Sequence, residues 1–229
     1  MEDKISVIIP AYNEKERIGS LLKKLKSDDE SVQVIVADGE STDGTPSVAK
    51  AYGAETVSTT RSRGLQMDRG VEMAEGTILL FLHSDTVLPK GWYDIILSAF
   101  SNGGENKVAG GAFSFAVDAD EPKYRLLEKL VALRNKYLGL TYGDQAIFVK
   151  KENFLSAGGY KGMPIMEDVD LVRRIRKHGE FKILKEKALT SARRWQKKGL
   201  ILTSLRNLVL LTLYYLGLRP EKIYRLYYD

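Results

Sequence analysis

Three short runs constrain this chain most: ISVIIP at residues 5–10, VQVIVA at 32–37 and TILLFL at 77–82. Each is almost continuously apolar and rich in β-branched residues. A run of that kind suits a strand covered on both faces. The segments between them carry helical spacing. Ile18, Leu21, Leu22 and Leu25 recur within residues 14–26, and Leu65, Met67, Val71 and Met73 within 63–74. Thr45-Pro46 predicts an N-cap followed by proline at the first helical position, opening a helix to about Tyr52. Residues 55–59 read as a third strand. Strands alternating with helices predict an α/β fold with a mixed, mainly parallel sheet and right-handed crossovers.

In such sheets, ligands bind beyond the carboxyl ends of the strands. That rule selects the loops at 11–14, 38–44 and 83–85, all rich in carboxylate or amide groups. Past Pro89 the pattern weakens. Strands are expected at 108–117, 144–149 and 181–184, and helices at 122–137 and 167–178. Gly110-Gly111 marks a bend or a close backbone approach.

No Pro/Gly/Ser linker divides the chain. One domain is expected over residues 1–195, followed by an apolar and basic helical segment over 196–229. Within that segment, residues 200–218 approach the ~20 apolar residues of a membrane span, but Arg206 and Asn207 interrupt them. A charge at a bilayer centre costs roughly 3 kcal/mol. A helix lying on a membrane surface, on its own domain or on a partner chain is therefore favoured over a span. Tyr214, Tyr215, Tyr224, Arg225, Tyr227 and Tyr228 suit a membrane interface.

Cysteine is absent, which excludes disulfides, thiolate zinc sites and cysteine nucleophiles. The opening residues do not resemble a secretion signal, so a cytoplasmic protein is expected, in one reading at the inner face of the membrane. The net charge is +5, with Lys and Arg concentrated after Glu167. That asymmetry suits a phosphate-bearing ligand, an anionic membrane surface or nucleic acid.

The chemistry-bearing residues sit at the selected loops. Asp38 closes the second run, where it can meet a nucleotide base or ribose, or cap a turn with Asp43-Gly44. Arg61 and Arg63 flank the start of a helix, a place where phosphate binds. No G-x-G-x-x-G follows a strand and no Walker A sequence is present, which disfavours nicotinamide chemistry and ATP hydrolysis of that type. His83 and Asp85 end the third run. One carboxylate with a diphosphate ligand is enough to hold Mg²⁺ or Mn²⁺, and imidazole favours Mn²⁺. Glu167-Asp168 opens a helix and offers two candidate general bases. Spacing alone does not choose between them.

Taken in order, SVIIPAYNE, VIVADGESTDGT, RGLQMDRG, LLFLHSDT and MEDVDLVRRIRKHG resemble family 2 glycosyltransferases of the GT-A (Rossmann-like) fold over roughly residues 4–195. LHSDT, GDQAIFV and SARRW are similar to the bacterial branch of arsenosugar-biosynthesis-type glycosyltransferases. The resemblance implies a hexosyltransferase-type enzyme that moves sugar from a UDP- or GDP-linked donor to a hydroxyl, with inversion and a divalent metal, Mn or Mg. It implies that Pro10, Ala11, Tyr12, Glu14 and Asp38 hold the nucleoside. Arg63, Gln66, Met67 and Ser84 belong to the donor side. Asp85 matches the final Asp of the D-x-D metal motif, and His83 replaces the first. Asp168 matches the base, with Glu167 beside it. Gly143, Asp144 and Gln145, with Arg193, Arg194 and Trp195, match the acceptor side. Arg193, Arg194 and Trp195 resemble a shortened Q-x-x-R-W motif whose Gln is missing, which argues against processivity.

The expected partners are the nucleotide-sugar and an acceptor, lipid-linked in one reading, with peripheral membrane contact and no nucleic acid. Two rival readings are a nucleotidyltransferase forming a nucleotide-sugar and a non-catalytic nucleotide-sugar-binding module. The first needs a Gly-rich basic loop after the opening strand, where this chain has AYNEKER.

Overall fold

The computed structural model of the chain describes residues 3–28, 32–101 and 107–228. Its first third follows the expected alternation: β1 (Ile5–Ala11), α1 (Lys15–Asp28), β2 (Gln33–Asp38), α2 (Thr45–Ala51), β3 (Glu55–Ser58), α3 (Arg63–Met73) and β4 (Ile78–Phe81). These strands are parallel, in the order β3-β2-β1-β4. Each face of this half-sheet has its own core. Val7, Ile9, Val34 and Val36 turn toward Ile18, Leu22 and Leu25 of α1. Ile8 and Ile35 turn the other way, toward Met67 and Val71 of α3. Each fully buried aliphatic side chain contributes roughly 1.5–3 kcal/mol, so the continuous apolar runs pin both register and layering. Gly70 lets α3 lie close on β1: a methyl group there would collide with Ile8.

The second half is mixed. It comprises β5 (Thr86–Val87), α4 (Trp92–Ser101), β6 (Val108–Asp118), α5 (Pro122–Leu138), a 3-10 turn (Gly143–Gln145), β7 (Ile147–Lys150), α6 (Lys151–Ser156), α7 (Glu167–Ile175), β8 (Glu180–Ser191), α8 (Arg193–Lys198), α9 (Leu200–Tyr215) and α10 (Pro220–Tyr228). β7 runs antiparallel between β4 and β6, β8 runs parallel to β6, and β5 caps the edge antiparallel to β8.

Several elements depart from the sequence reading. α4 was not foreseen, although Trp92, Ile96 and Ala99 are buried at helical spacing. The strand expected from Asp144 begins only at Ile147, because residues 143–145 coil and Ala146 takes a positive φ of 51°. β8 extends to Ser191, well past Leu184, because it follows β6 across an irregularity between Ala112 and Ser114. The helix at 167 ends at Ile175 rather than His178. Thr45 is the first helical residue of α2 rather than its cap. Its hydroxyl donates to Asp43 at 2.6 Å and accepts from the Glu14 N–H at 2.8 Å, tying the start of α1 to the start of α2. The apolar run from 200 breaks after Tyr215, where Gly217 has φ 89°, and α10 folds back. Among the described residues, no helix is long and apolar enough to cross a membrane.

Candidate active site

The carboxyl ends of β1, β2 and β4 form the floor of a cleft, and hydrogen bonds lock their loops together. The Asn13 N–H donates to Ser41 Oγ at 2.8 Å, and the Thr42 N–H donates to Asn13 Oδ1 at 3.0 Å. From α3, the buried Gln66 amide donates to the carbonyls of Ala11 and Ala37, both at 2.8 Å. The Ala11 carbonyl also accepts the Gly39 N–H at 2.8 Å, so the amide adds a second bond there and ties the ends of β1 and β2 together.

His83 and Asp85 do not continue β4. They form a turn in which the Thr86 N–H donates to the His83 carbonyl at 3.1 Å. β8 clasps this turn: Thr86 pairs with Thr190, and the Ser191 N–H donates to the Asp85 carbonyl at 3.1 Å. The chain then enters α8, which brings Arg193, Arg194 and Trp195 over the turn. A two-residue strand thus carries the basic C-terminal sequence to the strand-end loops.

Two cavities meet at this turn. The larger, ≈ 530 Å³, is lined by Pro10, Ala11, Tyr12, Glu14, Gln66, Ser84 and a cationic wall of Arg61, Arg63, Arg193, Arg194, Lys197, Lys198 and Arg206. Arg61 stacks over the Tyr12 ring, 3.8 Å from its centroid, making a flat platform at one end. The smaller, ≈ 120 Å³, is lined by Tyr142, Asp144, Glu167, Asp168, Trp195, Asn207 and Leu210, among others. Arg63, His83, Asp85, Arg194 and Tyr227 border both.

The acidic residues of the smaller cavity play separate parts. Asp168 is partly exposed to it. Its Oδ2 accepts the Gly143 N–H at 2.7 Å and its Oδ1 the Val169 N–H at 2.7 Å. Met166, in the left-handed region at φ 62°, turns the chain into α7 so that both carboxylates sit at a helix N-terminus, where the dipole favours negative charge. Glu167 is buried, 3.8 Å from Arg63. Burial pushes its carboxyl up to about 7, partly opposed by Arg63 and reinforced by Asp168. Asp170 belongs to the scaffold: it pairs with Arg173 at 2.9 Å and Arg174 at 2.7 Å. Burial also raises Asp144 to about 6, against the pull of Arg134, and its Oδ1 has no hydrogen-bond partner among the described residues.

His83 is enclosed enough that burial, with Arg63 and Arg194 nearby, lowers its pKa to about 3. It is therefore a neutral imidazole at neutral pH. Gly143 makes room for it: a Cβ there would lie 2.7 Å from His83 Nε2 and 3.6 Å from Asp168 Oδ2.

The remaining sequence candidates fall to the side. Asp38 is buried at the end of β2, one strand over from Pro10 and Ala11. Its Oδ2 accepts the Ser41 N–H at 2.9 Å, and its Oδ1 lacks a partner among the described residues. Met67 packs in the core beneath α3 and does not line the cleft. Gln145 is buried, donating to the Phe113 carbonyl and accepting from Arg134. Tyr142, Asn207 and the place of Tyr227 were not foreseen. Arg206, the charge that interrupts the apolar run, turns toward the cleft. It donates to the Tyr227 carbonyl at 3.4 Å and stacks on the Tyr227 ring at 4.4 Å.

Comparisons with known proteins agree with this geometry. The model for "Glycosyl transferase family 2" matches residues 6–157, from β1 through α6. An uncharacterized glycosyltransferase, YfnE of Bacillus subtilis, is 36% identical over 118 residues, which are 48% of this chain and 30% of YfnE. The chain thus spans about a third of that relative's length. Glucosyl-3-phosphoglycerate synthase of Mycobacterium tuberculosis, solved with Mn²⁺, UDP and glucosyl-3-phosphoglycerate, superposes with a TM-score of 0.57 at 23% identity, covering 81% of this chain and 70% of that one. The mannosyltransferase PcManGT of Pyrobaculum calidifontis, solved with GDP-Man and Mn²⁺, gives 0.63 at 18% identity, covering 82% and 57%. Those likenesses fix the fold as GT-A type. With the family match extending over the greater part of the sequence, the chain belongs to glycosyl transferase family 2.

Proposed function

We propose that the chain is an inverting glycosyltransferase that moves a sugar from a UDP- or GDP-linked donor to an acceptor hydroxyl. One observation carries this reading. A cationic cleft and a carboxylate-lined cavity share a wall made by Arg63, His83, Asp85 and Arg194. A nucleoside diphosphate suits the first and an acceptor hydroxyl the second, so the bond being exchanged would lie between them.

The Tyr12–Arg61 platform can stack a base, while Arg63 and Arg194 face the diphosphate. Asp168, anchored by two backbone N–H groups, takes the acceptor proton as the hydroxyl oxygen attacks the anomeric carbon. The carbon–oxygen bond to the diphosphate breaks, and its electron pair leaves with the nucleoside diphosphate, stabilised by the guanidinium groups. One displacement inverts the anomeric centre.

Residues present also fit a divalent metal. Among the described residues, no three His, Asp or Glu side chains gather closely enough to hold one by themselves. Asp85, with the neutral His83, would hold the ion together with the donor's own oxygens. Mn²⁺ or Mg²⁺ bound there would act as a Lewis acid toward the leaving diphosphate. The ligands of the two structural neighbours, Mn²⁺ with UDP or GDP-Man, support this set. Residues 196–229 act in this reading as an appendage whose Arg206 and Tyr227 close the donor cleft.

A panel of nucleotide-sugars with Mn²⁺ or Mg²⁺, scored by thermal shift and donor hydrolysis, tests the proposal. One donor should stabilise the protein. Asp168→Asn should keep that stabilisation while turnover falls roughly 10²–10⁴-fold, the usual share of general-base catalysis. A panel in which no donor binds would refute the reading.

A further inference from the structure

A third cavity opens beside the smaller one. It is a groove of ≈ 240 Å³ between α5 and α9, and its walls are mainly leucine: Leu127, Leu130, Leu138, Leu208 and Leu211. The inner end is formed by Tyr142, Asp144, Trp195 and Asn207, which also line the cavity holding Asp168. The groove therefore adjoins the catalytic cavity across these four shared residues. Its polarity also runs one way, from leucine outside to amide and carboxylate inside.

The outer lips remain in solvent. Leu130 is 55% and Leu208 59% exposed. Each belongs to a longer exposed apolar stripe at helical spacing, Leu126–Leu130–Leu133 on α5 and Ile201–Leu205–Leu208 on α9. Contiguous exposed apolar surface of this kind marks a binding site. Among the described residues, the only charged side chains lining the groove are Asp144, at the inner end, and Arg134, whose guanidinium stacks 3.7 Å over the Tyr142 ring. A flat protein partner would cover the lips but leave the inner end unfilled. A narrow molecule with one polar head and one hydrocarbon chain matches the whole gradient.

We infer that the acceptor is such an amphiphile, its hydroxyl reaching Asp168 and its chain lying between α5 and α9. This rests on the transferase reading and names the acceptor class for the same site.

A series of ω-bromoalkan-1-ols with six to twelve carbons, of order the groove's reach, tests it by heavy-atom quenching of tryptophan fluorescence. The chain has two tryptophans. Trp195 lines the groove, whereas Trp92, the first residue of α4, is buried in a different core. Affinity should rise roughly fourfold per added methylene, and Trp195→Phe should remove the quenched component. The double variant Leu130→Glu, Leu208→Glu, at two exposed positions, should bind the longest alcohol at least about tenfold more weakly while nucleotide-sugar thermal shift is unchanged. Quenching that is absent, independent of chain length, or unaltered in the double variant overturns the inference. So does a change from dimer to monomer on sedimentation of the double variant with quenching intact, which would make the face an interface between copies. Donor stabilisation without quenching removes the acceptor class alone. Quenching without donor stabilisation removes the transferase reading and the acceptor assignment with it.

Discussion

The Gly143 N–H donates to Asp168 Oδ2 at 2.7 Å, joining the turn before β7 to the first turn of α7. The same glycine faces His83, whose Nε2 would lie 2.7 Å from an added Cβ. Three sequence-distant residues are thereby held in one contact set. Gly143→Ala should displace His83 or the turn, lowering stability by roughly 1–3 kcal/mol as overpacking does. Sugar transfer should fall at least about tenfold, because a carboxylate moved by a fraction of an ångström loses alignment. Thermal melts and initial rates check this. Wild-type transfer by the alanine variant would show that Gly143 does not position Asp168.

Glu167 gives a pH-dependent expectation. Its folded-state pKa, about 7, lies above the ordinary 4.5 because the carboxyl is buried. The folded protein therefore binds this proton more tightly than the unfolded chain. The stability Glu167 contributes is fully present below about 4.5 and is lost as pH rises through about 7. Glu167→Gln stays neutral throughout, so its melting temperature should gain on wild type between about pH 5 and pH 8. A constant difference between the two melting curves across that range would contradict the burial argument.

Metal dependence separates the two residues of the His83–Asp85 turn. Chelation of wild type with EDTA and the Asp85→Asn substitution should each abolish metal-supported donor binding. His83→Ala should retain it but lose preference for Mn²⁺ over Mg²⁺, since only the imidazole is a softer ligand. Calorimetric titration of a nucleotide-sugar under each ion reads both effects. Asp85→Asn binding donor as tightly as wild type in either metal would remove Asp85 from the ligand set.

What could be read from the sequence follows how each part is stabilised. β1, β2 and β4 are buried on both faces, so their apolar runs are continuous and their carboxyl ends mark the cleft without any structure. In the second half the same signal marks β6, found at Val108–Asp118 where a strand was expected at 108–117, but it fails at the shorter and more exposed strands. β5 has two residues, too short for periodicity, and β8 runs on through the charged Lys185-Glu186-Lys187 because β6 supplies the pairing. Arg206 read as a charge interrupting an apolar run and Tyr227 as a residue suited to a membrane interface, yet their place is set by the reversal at Gly217, a long-range packing event. Adjacent residues also diverge where a helix meets a sheet. Gln66 reaches the strand-end carbonyls while Met67 fills the core.

Gln66 itself should be costly to replace. Gln66→Met keeps the length and removes both donors, leaving the Ala37 carbonyl buried with one bond fewer and weakening the tie between the ends of β1 and β2. A loss of roughly 1–3 kcal/mol is expected in urea denaturation, with reduced donor stabilisation in thermal shift. Unchanged stability would mean that water replaces the amide.

The five residues common to both cavities have a consequence for how this scaffold can diversify. Under the proposed reaction, changes at Arg63, His83, Asp85, Arg194 or Tyr227, which line both cavities, would act on donor and acceptor together. The far ends are independent: Tyr12 and Arg61 lie at one extreme, Leu130 and Leu208 at the other. On the proposed assignment, drift at the leucines would recruit new acceptors while the donor stays constant, and drift at the platform would exchange the nucleotide while the acceptor stays constant. The shared wall is the fixed hinge of specificity, and new substrate combinations can arise one end at a time.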